Sequence, residues 1–257
     1  MKSLFAFHNK VALVVGGTGG IGQAIVRGLA AGGAKVAFSY RSNAAVAERI
    51  VSELSAEEQP CMALQGEITD IASTRDLVQS TVKQFGGLDI LINTAGWHTM
   101  GPFMEDTSDN IETVIDVEFR GVVYLAQAAL PALVQRKGKI VFIGSDSGKV
   151  GNTGMAVSAG CRGAINAFAK SLAREHARDG VLVNVVAPGP TDDELWKHFK
   201  SQSEWASKVS TAMERAIPLR RLPRPEEVAS VALFLASDAN SVMTGQVVSA
   251  SGGLTMC

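Results

Sequence analysis

Short apolar runs of strand length alternate with longer segments of helical period from one end of this chain to the other, and few folds accept that order. The runs are "KVALVVGG" (10–17), "AKVAFSY" (34–40), "CMALQGE" (61–67), "LDILINTAG" (88–96), "GKIVFIGS" (138–145), "VLVNVVAPG" (181–189) and "GQVVSASGG" (245–253). Between the first two, "IGQAIVRGLAAGG" carries Ile21, Ile25, Leu29 and Gly32 at helical spacing. "NAAVAERIVSELSAEE", "IASTRDLVQSTVKQFG", "NIETVIDVEFRGVVYLAQAALPALVQRKG", "MAVSAGCRGAINAFAKSLAREHARDG" and "EEVASVALFLASD" are each long enough for a helix. Strands that are apolar throughout are buried on both faces, which in β-α alternation means a parallel sheet covered by helices. The expected fold is α/β, a doubly wound sandwich of about seven parallel strands flanked by helices.

The 257 residues, 46% of them hydrophobic, suffice for one large core. No repeat, low-complexity stretch or polar linker divides them, so 1–257 reads as a single domain. Residues 190–217, with helical period and two tryptophans, are expected to form a mobile flap outside the sheet. A net charge of −1 offers no electrostatic footprint for nucleic acid or anionic lipid. "MKSLFAFHNK" lacks the apolar run and cleavage site of a signal peptide, and no uncharged apolar stretch of about 18 residues occurs elsewhere. A cytoplasmic protein without membrane contact is expected. Cys61, Cys161 and Cys257 have no Cys-x-x-Cys spacing, and no His/Cys/Asp cluster has metal-ligand spacing. Inert thiols and no metal are expected, with a reactive Cys161 as the alternative.

In such a sheet, the first strand-to-helix turn receives a dinucleotide pyrophosphate, because glycines let backbone N–H groups approach it and the helix N-terminus supplies positive potential. "GGTGGIG", Gly16 to Gly22 and including Thr18, Gly20 and Ile21, has that placement. A tight turn needs glycine whatever it binds, so placement after a buried strand is what points to a nucleotide. The second strand ends "SYRSN", with no acid for a ribose 2′-OH and with Arg41 free to meet a 2′-phosphate. That leans to NADP; otherwise Arg41 merely opens a solvated helix.

Over nearly its whole length the chain resembles the short-chain dehydrogenase/reductases, a Rossmann-type family. "GGTGGIG" matches the family's TGxxxGIG, with Val15 where threonine is usual, and "NTAG" (Asn93 to Gly96) matches NNAG. "VNVVAPG" (183–189) matches the strand that ends beside the nicotinamide, and "LRRLPRPEEVASVALFLASDANSVMTGQVVSASGG" (219–253) the C-terminal signature. The resemblance implies an NAD(P)-dependent oxidoreductase acting on a CH–OH group. It also implies four catalytic positions: a tyrosine acid/base, a lysine four residues on, a serine thirteen residues before the tyrosine, and an asparagine on the preceding helix.

Only the serine is kept, as Ser145; the tyrosine, lysine and asparagine positions fall on Ser158, Arg162 and Glu118. An aliphatic hydroxyl is far less acidic than a phenol, and arginine does not pass protons on as a tuned lysine can. Losing general acid–base help costs roughly 100- to 10,000-fold. Standard hydride transfer is therefore not expected here. Cofactor positions drift too: Glu67 replaces an aspartate near the adenine, Asp193 a threonine near the carboxamide, and Ser251 an aspartate before the last glycines. NAD(P) binding is read as relaxed or lost.

The other chemistry-bearing residues have bland readings beside sharp ones. His98 at the cleft mouth is an acid/base or a loop residue. Asp146 and Glu118 offer carboxylate chemistry, such as dehydration or isomerisation; against that stand a surface or capping role for Asp146 and a Glu118–Arg162 salt bridge with no titrating group near neutrality. In the family, helices matching 109–136 and 155–178 pack against a partner's copies, and this chain keeps their small and apolar residues.

The expectation is a catalytically incompetent subunit paired with a competent homologue in a hetero-oligomer, a dimer of dimers. The family has a precedent in anaerobic toluene breakdown, the 2-[hydroxy(phenyl)methyl]succinyl-CoA dehydrogenase, where one of two related subunits lacks the active site. An enzyme with non-redox chemistry (a dehydratase, isomerase or cyclase) and an NADP-sensing binding protein are the alternatives.

Overall fold

The computed structural model describes residues 5–257; the signal-peptide reading falls partly on 1–4, outside the described residues. Seven strands form one parallel sheet: β1 Val11–Val15, β2 Lys35–Tyr40, β3 Cys61–Gln65, β4 Ile90–Asn93, β5 Lys139–Ile143, β6 Leu182–Pro188 and β7 Val247–Ala250. Their spatial order is β3-β2-β1-β4-β5-β6-β7. Strand order reverses between β1 and β4, where Val15 pairs with Asn93, and ligands of such sheets bind outside the strand ends at that crevice.

The strands are short because each only crosses the core. In β1, Ala12 and Val14 point into one apolar cluster and Leu13 and Val15 into the other, as a period of two requires. The first cluster is closed by α1 (Gly20–Ala31), α2 (Ala44–Ala56) and α10 (Pro225–Ala236). On the opposite face lie α3 (Ile71–Phe85), α5 (Gly121–Arg136) and α7 (Ala156–His176). Burial on both faces holds for β1 and β4; β3 and β7 are only half-buried, because as edge strands they lack a neighbour on one side.

The helix expected over 109–136 is not uniform. α4 (Ser108–Ile115) passes through a π-helical turn, Asp116–Arg120, before continuing as α5. By length and composition the run Ser108–Arg136 is apolar enough to cross a membrane, yet it packs against α3 and α7. Residues 190–217 form two helices, α8 (Glu194–Ser201) and α9 (Glu204–Ala216). They carry an apolar cluster of their own, in which Trp196, Phe199 and Ala206 meet Met100 and Met155. The short α6 (Ser147–Val150) follows β5.

Candidate functional site

The loop between β1 and α1 is shaped by close backbone approach. Gly16 has φ +82°, and a Cβ at Gly22 would stand 2.2 Å from the Gly16 carbonyl oxygen, so neither position tolerates a side chain. The Thr94 hydroxyl reaches the carbonyls of Val15 and Gly16, both at 2.9 Å, and Gly17 N–H donates to Ser39 O at 2.8 Å. α1 starts after the N-cap Gly19, which has no side chain to cap it, and has no acid in its first turn, leaving its first N–H groups open to an anion.

This loop floors a cleft of about 330 Å³. Gly16, Thr18, Gly20, Ile21, Arg41, Glu67 and Gly96 all line it; Asn93 does not, being 1% exposed inside the sheet. Arg41 and Glu67 face each other across its outer end at 3.9 Å, both well solvated, a contact of little energetic weight. Asp193, unlike them, sits at the inner end. It caps α8, its Oδ1 accepting from Trp196 N–H at 2.9 Å. Burial raises its carboxyl above the usual range, assisted by Asp192 and Glu194, although the Trp196 and Leu195 N–H groups pull the other way.

Past Asp193 lies a second cavity of about 530 Å³, walled by Ser145, Ser158, Arg162, His98, Trp196 and Phe199 among others. Ser158 and Arg162 lie four residues apart on one face of α7, and both turn toward Glu118, which the π turn carries to 0% exposure. The Ser158 hydroxyl donates to Glu118 Oε2 at 2.6 Å. Arg162 Nη2 donates to Glu118 Oε1 at 2.7 Å, and its Nη1 to Ile143 O at 2.9 Å. Burial alone would push the Glu118 carboxyl up; Arg162, with His98 and Ser158, overrides this and holds it at about 2. Ser145 Oγ accepts from the Ser147 hydroxyl at 2.9 Å.

The expected Glu118–Arg162 ion pair is thus formed, but three other readings need correction. The pair does not stand alone: His98 Nδ1 lies 3.1 Å from Glu118 Oε1. An ionised carboxylate only accepts, so Nδ1 carries the proton and Nε2 is left buried without a partner. Nor is Asp146 a surface or capping residue. It is 3% exposed, makes no cap hydrogen bond, and both carboxylate oxygens lack a partner, because the turn after β5 faces this position toward the inner cavity, whose wall it joins, rather than outward. The reactive-Cys161 alternative also fails. Burial, with Glu118 beside it, raises that thiol against the partial opposition of Arg162, the reverse of what a nucleophilic cysteine needs. Burial pushes Cys61 up to about 12, while Cys257 is exposed and all three thiols are free. Among the described residues no group of three His, Cys, Asp or Glu is placed to hold a metal.

Two further groups complete the site: His98, singled out in the sequence by its place two residues after Gly96, and the Ile143 carbonyl, which no sequence signal marks. The outer cleft carries groups that would hold the adenosine end of an NAD(P) cofactor. Gly16, the open α1 N-terminus and Arg41 suit an adenosine phosphate. Inside, Arg162 is spent on Glu118 and Ile143 and its Nη2 fills the space a Cβ on Gly96 would need, 2.3 Å away.

Comparison with known proteins agrees with the architecture. Residues 16–255 match the family described as enoyl-(acyl carrier protein) reductase. An uncharacterised oxidoreductase of Methylorubrum extorquens is 36% identical over 247 residues, covering 96% of this chain and 98% of that protein. The 3-oxoacyl-[acyl-carrier-protein] reductase FabG of Staphylococcus aureus is 34% identical over 252 residues, covering 96% of this chain and 98% of its own. A short-chain dehydrogenase from Burkholderia cenocepacia, solved in complex with NADP, superposes with a TM-score of 0.88 at 31% identity, covering 96% of this chain and 98% of the other. By fold, by the glycine loop at the strand-order reversal and by these likenesses, the chain belongs to the short-chain dehydrogenase/reductases, a family of NAD(P)-binding oxidoreductases.

Proposed function

We propose that this chain is a catalytically incompetent subunit of a hetero-oligomeric NAD-linked dehydrogenase, joined to a competent homologue that oxidises a hydroxyacyl-CoA-type alcohol. The carrying observation is the closed network at the tyrosine, lysine and asparagine positions. Ser158, Arg162 and Glu118 satisfy one another and the Ile143 carbonyl, so none is left to relay a proton to a substrate oxygen. Such a cluster replaces acid–base chemistry by packing. What persists is scaffold: α5 and α7 keep small and apolar residues, with Ala156, Gly160 and Ala167 exposed along α7. Assembly as a dimer of dimers and the toluene-type precedent are part of this proposal, and the substrate is chosen by the partner's site.

Native mass spectrometry of the protein from its own organism tests it. The expected mass is that of a complex with a second, homologous chain bearing tyrosine and lysine at the two positions. A homogeneous homo-oligomer that turns over a substrate without consuming nicotinamide overturns it. That outcome is what a second reading predicts, non-redox acid–base chemistry, favoured by the unpartnered His98 Nε2 backed by Glu118. His98→Asn separates the two: it abolishes turnover on the second reading and leaves complex formation intact on the first.

A further inference from the structure

The two cavities share a wall, and Asp193 stands in it. Ile21, Thr94, Gly96, Ile143, Asp193 and Leu195 line both spaces. A dinucleotide in this kind of sheet lies across that boundary, with its phosphates at the N-terminus of the first helix. Asp193 is fixed at the crossing by its own backbone, N–H to Thr191 O at 2.8 Å, and by its cap to α8. Gly20, the first residue of α1, makes room for it: a Cβ there would come within 2.9 Å of Asp193 Cβ and 3.0 Å of Oδ2. The carboxylate therefore stands beside the first turn of α1, the turn that brings no acid of its own and whose N–H groups it leaves open.

An anion seated there repels a second anion, and the effect is large where water is partly excluded. Beyond it, Arg162 is tied to Glu118 and Ile143. On the outer side the conditions reverse. Arg41 is 60% exposed at its side chain, with Ser42 and Asn43 on the same wall, and the nearby Glu67 carboxylate is 3.9 Å away.

We propose that the cleft is a mononucleotide site: it takes an adenosine bearing a ribose phosphate at the Arg41 end, and Asp193 bars the rest of a dinucleotide. The inference is independent of the subunit reading and would hold for a homo-oligomer as well. A carboxylate at this crossing gives the chain a built-in anion where the family's ligand would bring one.

Calorimetric titration of adenosine 2′-monophosphate and NADP⁺ into the full-length chain and into Asp193→Asn tests it. Asparagine caps helices as well as aspartate does, so the variant keeps α8, and Asp193→Ser serves as a second cap-preserving version. In the unmodified chain NADP⁺ is expected to bind within threefold of the monophosphate or more weakly. Both variants are expected to tighten NADP⁺ at least tenfold while leaving the monophosphate within threefold. A larger preference for NADP⁺ in the unmodified chain, a smaller gain in the variants, an equal gain for both ligands, or no binding of the monophosphate overturns the proposal.

Discussion

The outer and inner halves of the cleft are made of different material. The outer half is backbone: Gly16 in a left-handed conformation, Gly22 against the Gly16 carbonyl, and the open N-terminus of α1. The inner half is side chain: Glu118, Ser158, Arg162 and His98 joined in one buried network. A backbone-built site persists as long as the fold does, since the same glycines close the turn. A side-chain site is free to be rebuilt, and here the family's tyrosine, lysine and asparagine positions hold Ser158, Arg162 and Glu118, hydrogen-bonded to one another.

That contrast has measurable edges. Removing the hub of the side-chain half should have the largest effect: Glu118→Ala leaves the Arg162 guanidinium buried without its anion, and about 3–5 kcal/mol of stability should be lost in denaturant unfolding. Acid should do the same without mutation. The folded Glu118 carboxyl is held at about 2, below its ordinary 4.5, so its contribution is fully present above pH 4.5 and fades as pH falls from there toward 2. The loss is on the order of 3 kcal/mol, and Glu118→Gln should flatten that limb of the stability–pH curve.

The backbone half should answer through sterics. Gly22→Ala sets a Cβ against the Gly16 carbonyl and should cost about 1–3 kcal/mol while also abolishing nucleotide binding. If it costs more than Glu118→Ala, the division between the halves is wrong. Ser158→Ala removes one hydrogen bond to a carboxylate that keeps Arg162 and His98, for about 1.5 kcal/mol. Arg41→Ala touches only a solvated pair and should change stability by less than about 0.5 kcal/mol, with its effect confined to nucleotide affinity.

The strands, the sheet class and the glycine loop were legible because period, length and turn chemistry are local properties. Which strands sit at the edges was not: β3 reads like β1 as text, and only the pairing order exposes it. The Glu118–Arg162 pair was legible through the family's spacing, since α7 presents positions 158 and 162 together. Its third member was not. His98 reaches Glu118 only because the loop after β4 folds over the helix, a long-range fact. Asp146 reads as a surface acid beside a serine, and nothing in "GSDSG" tells that its carboxylate ends up enclosed.

The π-helical turn at Asp116–Arg120 makes the helix that contains it a phase-locked part. One extra residue per turn offsets the two stretches on either side by roughly 100° of rotation relative to an unbroken α-helix. Deleting a single residue in the turn would let the helix close up regularly and swing Glu118 away from α7, even though no contacting side chain had changed. Insertions and deletions, which most helices on a protein surface absorb by shifting a loop, would here act as a rotation of the site itself.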